Sequence, residues 1–312
     1  MARKLRIQFE GALYHVINRG NYRRDLFETA GAAEAFLTAL ESATMRYGWR
    51  LHAYVLMRNH FHLAVETPSP NLVEGMHWLQ STLATRFNRF RQERGHLFQG
   101  RYQSIIVENF VTLARVVDYI HLNPVRAKVV VPEQVGAYRW SSLGKFIKGS
   151  QWAGLTAVDW MAVGGWSDDA QGRKAYEQHL ISLGKDEAEC ARRGLVGLSN
   201  GWALGTNGWR KALAEDHAHR RLNPGLERQE IRELNEAAWQ VALRSALEEQ
   251  GKTSADLQTN PMNQSWKLQL ACKLRAAGAA VGWIATNLNL GKPSSVRSYL
   301  SRIKEKNQQT AA

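Results

Sequence analysis

The fold of the N-terminal half is decided by residues 55–66, which read VLMRNHFHLAVE. Strand-forming residues lie on both sides of residues 58–59, and a polar pair there favours a turn. Residues 49–66 therefore read as one long strand or as two strands that meet at this turn. Because side chains alternate between the faces of a strand, His60 and His62 are expected on one face and the phenylalanine between them on the other.

Helices and strands alternate on both sides of this stretch. Strands are predicted at residues 13–18 and 102–107, and helices at 30–47, 72–91 and 112–121, the last one broken near Asn123-Pro124. Alternation over the first ~130 residues predicts an α/β or α+β sandwich, with spacings too irregular for a doubly wound parallel sheet. From about residue 148 the strand pattern disappears and Gly and Trp recur, which predicts a helical region with loops.

The composition favours a polyanionic partner. The 312 residues include 41 Lys and Arg against 28 Asp and Glu, a formal charge of +13. Nucleic acid explains this excess best, since no long basic amphipathic helix suggests a membrane surface. No apolar run is long enough for a membrane span or a signal peptide. The two cysteines, Cys190 and Cys272, lack metal-ligand spacing, and we expect a cytoplasmic protein with ordinary thiols.

The pattern His60-Phe61-His62 predicts a metal site. Two imidazoles on one strand face, one pitch apart, can ligate a single divalent cation. The alternative is two histidines on a half-exposed strand face without a metal, and for an isolated H-x-H this alternative is the commoner one.

A second candidate group lies in residues 116–127, VVDYIHLNPVRA. Tyr119 and Asn123 are four residues apart and would share a helix face. A phenol is a nucleophile that can form a covalent phosphodiester, and an amide oxygen can complete a metal shell. His121 is a nearby alternative ligand, but it lies two residues after Tyr119 and would face away from it on a helix. The alternative for Tyr119 is an ordinary helix tyrosine at the edge of a core.

Five motifs occur in a specific order along roughly residues 5–145: RGN at 19–21, MRNHFHL at 57–63, FQGRY at 98–102, YIHLNPVRA at 119–127 and YRWSS at 138–142. This series resembles the REP-associated branch of the single-tyrosine HUH transposases. The resemblance implies a ferredoxin-like α+β fold with a central antiparallel sheet. It also implies cleavage and rejoining of single-stranded DNA through a 5′-phosphotyrosine, with Mg²⁺ or Mn²⁺ as cofactor.

Carried over by motif, His60 and His62 are metal ligands and Tyr119 is the nucleophile. The simpler insertion-sequence enzymes of this group have Gln four residues after the tyrosine, whereas this chain has Asn123, which is one methylene shorter. Asn123 is kept as the third expected ligand. The partner implied by the resemblance is single-stranded or hairpin DNA.

Basic residues occur near these motifs, and four are expected to bind DNA: Arg19, Arg58, Arg101 and Arg126. Guanidinium groups bind phosphates, and aromatic side chains stack on unpaired bases. Aromatic residues lie between the arginines in the sequence, namely Phe87, Phe90, Phe98 and Tyr102. The alternative is that these rings belong to the core and that the arginines form a solvated helix face.

The C-terminal segment has a trihelical pattern. Helices are predicted at residues 266–277, 281–288 and 295–306, with a Gly-Lys-Pro turn at 291–293. The pattern resembles the helix-turn-helix domains of replication initiators, and the basic last helix predicts DNA contacts by Arg297 and Arg302. The alternative is a trihelical packing module.

We therefore predict three parts: an HUH transposase domain at 1–147, a helical extension of unknown role at 148–257 and a helix-turn-helix domain at 258–312. The expected function is metal-dependent nicking and strand transfer of single-stranded DNA at hairpin-forming repeats, that is, DNA transposition. One alternative is a DNA-binding regulator that has lost catalysis, although such a protein would not need the two histidines and the tyrosine. Another is a replication or conjugation nickase, although the relaxase arrangement with tyrosine ahead of the histidines is absent. A monomer and a homodimer are both left open.

Overall fold

The structure, a computed structural model, describes residues 6–150, 152, 154–216, 228–259 and 264–300. Contacts divide these residues into two compact units, Arg6–Trp209 and the described residues from Arg210 onward. Within these ranges, no helix has both the length and the apolar character that a membrane span requires.

The first unit is built on a five-stranded sheet with the order β2-β3-β1-β4-β5. The strands are β1 Ala12–Arg19, β2 Arg50–Met57, β3 His60–Thr67, β4 Gln103–Val107 and β5 Ala203–Leu204. The first four strands are antiparallel neighbours, and β5 is parallel to β4. With two intervening helices the chain has the β-α-β-β-α-β connectivity of ferredoxin-like folds. The α+β prediction is confirmed: four strands form the expected antiparallel sheet, and the two-residue strand β5 adds a parallel edge that makes the whole sheet mixed.

Two long helices cover one face of the sheet, and both have the predicted bounds: α1 Ala30–Tyr47 and α2 Leu72–Arg91. Helix α1 begins where the Thr29 hydroxyl accepts a hydrogen bond from the Ala32 amide, and it ends at Gly48 in the left-handed conformation. The Phe36 ring packs 4.7 Å from that of Phe61. The phenylalanine between the two histidines therefore points away from them, into this core.

The opposite face carries α3 Phe110–Arg126 together with shorter helices, namely α4 Ser142–Ile147, α5 Val158–Gly164, α6 Ala170–Lys185 and α7 Glu187–Arg192. The chain later forms α8, Asn207–Asp216. Helix α3 begins at an Asn109 cap, whose side chain accepts from the Thr112 amide. Its apolar face, including Val116 and Ile120, packs in the core formed on this side of the sheet.

Helix α3 does not break near Asn123-Pro124 as predicted but continues to Arg126. A proline inside a helix removes one backbone hydrogen bond and disfavours helical backbone in the residue before it. Here the Asn123 side chain donates to the Tyr119 carbonyl within the same turn. Pro124 is itself buried. This local bond and tertiary packing outweigh the unfavourable propensity over the final turn.

The expected helical extension shares its core with the sheet. Trp160, Tyr176, Leu180 and Leu198 belong to one apolar cluster with residues of β1, β2 and α3. The compact unit consequently extends to Trp209, well past residue 147, where a separate domain was expected to end. The prediction that strand structure ends before residue 148 misses β5, whose two residues are too few to show an alternating pattern.

The second unit is helical. It contains α9 Arg228–Glu248, α10 Ser254–Thr259, α11 Ser265–Ala276, α12 Val281–Asn287 and a helical segment at 293–300. Residues 251–263 are polar and contain one proline, a composition typical of a linker, yet they include the short helix α10. Leu247 of α9 and Leu257 of α10 share a core with α11 and α12, so a division at residue 257 would cut through this core.

Candidate active site

The two predicted histidines lie at the start of β3, beside the central strand β1. In the strand register His60 is opposite Arg19 and His62 is opposite Ile17. The centroids of the two imidazole rings are 5.1 Å apart, which confirms that they share one face. His62 is buried, whereas His60 remains partly accessible.

Both imidazoles are held in the neutral form at neutral pH. Burial and, to a smaller extent, the nearby Arg19 guanidinium together lower the pKa of His60 to about 4. Burial also lowers the pKa of His62 well below its ordinary value, assisted by its neighbours His15 and His60. A neutral imidazole has the free lone pair that a metal ion requires.

A third histidine, His15 of β1, belongs to this site and was missed by the sequence analysis. Its Nε2 lies 2.9 Å from Nδ1 of His62. Its Nδ1 lies 2.9 Å from the carbonyl oxygen of Leu198. The predicted strand at 13–18 already contained His15, but its contact with His62 depends on strand register and on a loop more than 180 residues later. Neither is readable from a local pattern.

Tyr119 projects from α3 toward these histidines. The centroid of its ring is 5.7 Å from that of His62 and 5.8 Å from that of His15, in both cases edge to face. The Arg126 guanidinium carbon lies 4.8 Å from the centroid of the same ring. Tyr119 is 9% exposed and lies in the middle of the helix rather than at its end. A phenol, two ligand-competent imidazoles and a cation thus converge on one place.

Asn123 lies one turn after Tyr119, with its Nδ2 donating to the Tyr119 carbonyl oxygen at 2.9 Å. This bond turns the amide toward the helix rather than toward either histidine. His121 points into the core, where Nδ1 is 2.9 Å from the Tyr176 hydroxyl and Nε2 is 2.8 Å from Ser142 Oγ. Both nitrogens of His121 are engaged, so it has no free lone pair for a metal.

A profile of the family described as "Transposase IS200 like" matches residues 8–123. The matched segment runs from before β1 to Asn123 and includes the histidine pair and Tyr119. This segment is similar to the IS200-like transposase family. The family-level resemblance drawn from the motifs is thereby confirmed for the domain that contains the candidate site.

A solved structure, described as a REP-associated tyrosine transposase bound to a REP hairpin, is similar to part of this chain. The two chains are 18% identical, with a TM-score of 0.41, and the alignment covers 55% of this chain and 93% of that one. A comparison with curated proteins finds no match.

The arginines expected to bind DNA occupy different positions around the IS200-like domain. Arg19 and Arg126 adjoin His60 and Tyr119 respectively. Arg58 is exposed, but one of its nitrogens is 2.7 Å from Asp25. Arg101 is exposed at the end of a segment that hydrogen-bonds to the Arg19 backbone through Gln99. Of the aromatic residues between these arginines in the sequence, Phe90 is exposed. The other three, Phe87, Phe98 and Tyr102, are buried.

The RGN motif forms a tight loop beside the turn that precedes His60, where the Gly20 amide donates to the Asn59 carbonyl oxygen at 2.8 Å. A Cβ on Gly20 would lie 2.3 Å from the Arg24 carbonyl oxygen, so only glycine fits there. The loop is held to β3 because Asn59 Nδ2 donates to the Arg23 carbonyl oxygen at 3.2 Å. Tyr22 has φ 50°, ψ 30° and is 93% exposed. A bulky residue in the left-handed region is uncommon, and here it presents a solvated ring that the sequence analysis did not single out.

The YRWSS motif has a structural role in this domain. The Tyr138 hydroxyl donates to the Leu56 carbonyl oxygen at 2.8 Å. The Ser142 Oγ accepts from the Tyr54 amide at 2.9 Å. The motif therefore fastens the chain to β2, next to the histidine-bearing strand.

The remaining DNA-binding candidates belong to the second unit. Arg297 is exposed on the helical segment 293–300. Arg302 lies outside the described residues.

Proposed function

We propose that this chain nicks and rejoins single-stranded DNA through a covalent bond to Tyr119. The observation that carries the proposal is the position of the Tyr119 ring, 5.7 Å from that of His62 on the strand face that also bears His60. Tyrosine is rarely the nucleophile of a hydrolase, but it suits strand transfer because a phosphotyrosine conserves the energy of the broken phosphodiester.

In the first step the Tyr119 oxygen attacks the scissile phosphorus. A bond from the phenolic oxygen to phosphorus forms, the bond from phosphorus to the 3′ oxygen breaks, and the phenolic proton is released while the departing 3′ oxygen takes up a proton. The 5′ end remains attached to the protein. Attack by a 3′ hydroxyl of another strand reverses these changes and restores the tyrosine.

The side chains of the site fit a divalent cation. The nitrogen Nδ1 of each histidine is engaged, with Asn59 Oδ1 for His60 and with His15 for His62, which leaves both Nε2 atoms available. Within the described ranges, no cluster of three or more His, Cys, Asp or Glu side chains is arranged as a metal site. Further ligands would be oxygens from water, DNA or the Asn123 amide. The bound cation, Mg²⁺ or Mn²⁺, would polarise the scissile phosphate.

The substrate we propose is single-stranded DNA next to a hairpin, as the motif series implies. Arg126 beside Tyr119 and Arg19 beside His60 would bind the phosphates that flank the reacting one. The direct test is to incubate the protein with a labelled single strand that carries a hairpin, in Mn²⁺, and to look for a label that stays with the protein on a denaturing gel. If no adduct forms on any hairpin substrate with either cation, the alternative is favoured, namely a DNA-binding regulator that has lost catalysis.

Tyr22 is expected to stack on an unpaired base of this substrate. Replacing it with Ala should weaken single-strand binding by about 1–3 kcal/mol, which is roughly a 5- to 150-fold higher Kd. Fluorescence anisotropy in EDTA measures this change without cleavage.

Two control variants separate the ring from the shape of the loop. Tyr22→Phe keeps an aromatic face and should bind like the wild type. Tyr22→Gly removes the ring but accepts a positive φ readily, so it should bind as weakly as Tyr22→Ala. If Tyr22→Gly binds like the wild type, the ring does not contact DNA.

We further propose that the second unit is a helix-turn-helix DNA reader. Helix α12 and the helical segment 293–300 are joined by a short turn, and Leu290 and Val296 fasten both to the core. Lys292 and Arg297 are exposed at the second of these helices.

Changing Lys292 and Arg297 together to Gln should lower hairpin affinity and reduce the slope of log Kd against log salt by up to about 2, since each lost phosphate contact removes about 0.9. Adduct formation at saturating DNA should be unchanged. Lys273→Gln is the matched control, because Lys273 forms an ion pair with Glu249. An unchanged salt slope in the double variant would identify the unit as a packing module.

A further inference from the structure

Each of the two candidate ligands, His60 and His62, has one side-chain hydrogen-bond partner, and that partner in turn contacts one backbone carbonyl oxygen. Behind His62 stands His15, whose far nitrogen lies 2.9 Å from the Leu198 carbonyl oxygen. Behind His60 stands Asn59, whose amide nitrogen donates to the Arg23 carbonyl oxygen. The two carbonyls belong to loops outside β3.

The first chain of hydrogen bonds has one consistent assignment of protons. A carbonyl oxygen only accepts, so Nδ1 of His15 carries the proton that faces Leu198. His15 is fully buried and makes no contact with a carboxylate in the part of the chain that the structure describes, which favours its neutral form. Its Nε2 is then an acceptor, and the proton between the rings belongs to Nδ1 of His62. The Nε2 atom of His62 is left with a lone pair.

The second chain leads to the same result. The amide nitrogen of Asn59 donates to Arg23, so its Oδ1 is the atom that faces His60 at 2.8 Å. This oxygen accepts the proton of His60 Nδ1. Nε2 of His60 is therefore also left with a lone pair.

We propose that His15 and Asn59 are positioning residues that fix the tautomers of His62 and His60, so that both present an unprotonated Nε2 to a divalent cation. In free imidazole the proton exchanges between the two nitrogens, and a partner on one of them selects a single tautomer and ring orientation. This inference rests on the proposed metal-dependent function, but the tautomers exist without metal or DNA.

The first test is a long-range ¹H–¹⁵N correlation spectrum of the metal-free, full-length protein labelled at histidine. Its signals are assigned by His15→Gln, His60→Ala and His62→Gln. We expect His15, His60 and His62 all to carry the proton on Nδ1. A proton on Nε2 of His60 or His62 in the wild type would overturn the proposal.

The second test measures Mn²⁺ affinity by electron paramagnetic resonance. His15→Leu and Asn59→Leu remove the acceptors, and each should raise the Mn²⁺ Kd by about 10- to 100-fold. His15→Gln can keep an acceptor for His62 and should retain an affinity near the wild type. Asn59→Asp keeps an acceptor for His60 and adds a negative charge near the cation, so its affinity should be at least that of the wild type. Wild-type affinity in both leucine variants would contradict a positioning role.

The outcomes separate this proposal from the proposed function. If the tautomers and Mn²⁺ affinities are as expected but no DNA adduct forms, the catalytic proposal fails and the positioning role stands. If adducts form while both leucine variants bind Mn²⁺ with wild-type affinity, the positioning proposal fails and the catalytic proposal stands. Should His15→Leu not fold, the wild-type spectrum and the two Asn59 variants still decide the matter.

Discussion

Tyr119→Phe will form no covalent DNA adduct and will not cleave a hairpin-bearing single strand, a loss of at least about a thousandfold, as expected when a nucleophile is removed. No hydrogen bond to the Tyr119 hydroxyl is present in the described parts of the chain, so the substitution breaks none. Stability should change by less than about 0.5 kcal/mol. Single-strand affinity in EDTA should stay close to the wild type.

The measurement uses a labelled strand, denaturing electrophoresis and mass spectrometry of the adduct peptide. Tyr138→Phe is the control, because the hydroxyl of Tyr138 is bound to the Leu56 carbonyl and not directed at the site. Tyr102 is also a poor rival, since its ring is buried and burial raises its pKa to about 12. An adduct mapped to either of these tyrosines would refute the nucleophile assignment while leaving the metal site intact.

Replacing both His60 and His62 with Ala will abolish cleavage in Mg²⁺ and in Mn²⁺. We expect His60→Ala alone to lower the cleavage rate by more than about 100-fold. Removing a metal ligand should cost more than the 10- to 100-fold loss that is typical when a hydrogen-bond partner of a ligand is removed. His60 is partly accessible and its substitution should leave the fold intact. His62 is buried, and removing it leaves Nε2 of His15 unpaired, a penalty of about 1–3 kcal/mol.

Cleavage rates and thermal unfolding are therefore measured together. His77→Ala is the matched control, since His77 is exposed on α2, on the other face of the sheet. Single-strand binding in EDTA should persist in all folded variants. Cleavage at the wild-type rate by a folded double variant would show that the histidines do not bind the catalytic cation.

The sequence predicted those parts of the fold that local periodicity controls. The amphipathic patterns of α1 and α2 are local features, as are the Thr29 cap and the left-handed Gly48 at the ends of α1, and both helices have the predicted bounds. The alternation at residues 60–62 correctly put the two histidines on one face. Pro124 was misread because tertiary packing and the Asn123 side chain compensate for a backbone bond that local rules count as lost.

The parts of the site that could not be predicted all depend on long-range contacts. His15 joins His62 through strand register, and its other partner is Leu198. Tyr22 is prominent because of a left-handed backbone in the RGN loop, whereas the usual sequence signal for that conformation is glycine. The ligand role of Asn123 remains a prediction, since its only described hydrogen bond is to its own helix.

The carbonyl oxygens of Leu195 and Leu198 lie within hydrogen-bond distance of the side chains of Arg126 and His15, respectively. The histidines, the tyrosine and the arginine all emerge from the ribosome before these carbonyls do, and nascent domains fold as units once their contacts are available. A chain interrupted before residue 195 would carry the candidate nucleophile and both candidate ligands but lack the carbonyl oxygens that hold Arg126 and His15. If the proposed function holds, such incomplete translation products should nick DNA more slowly than the full chain does.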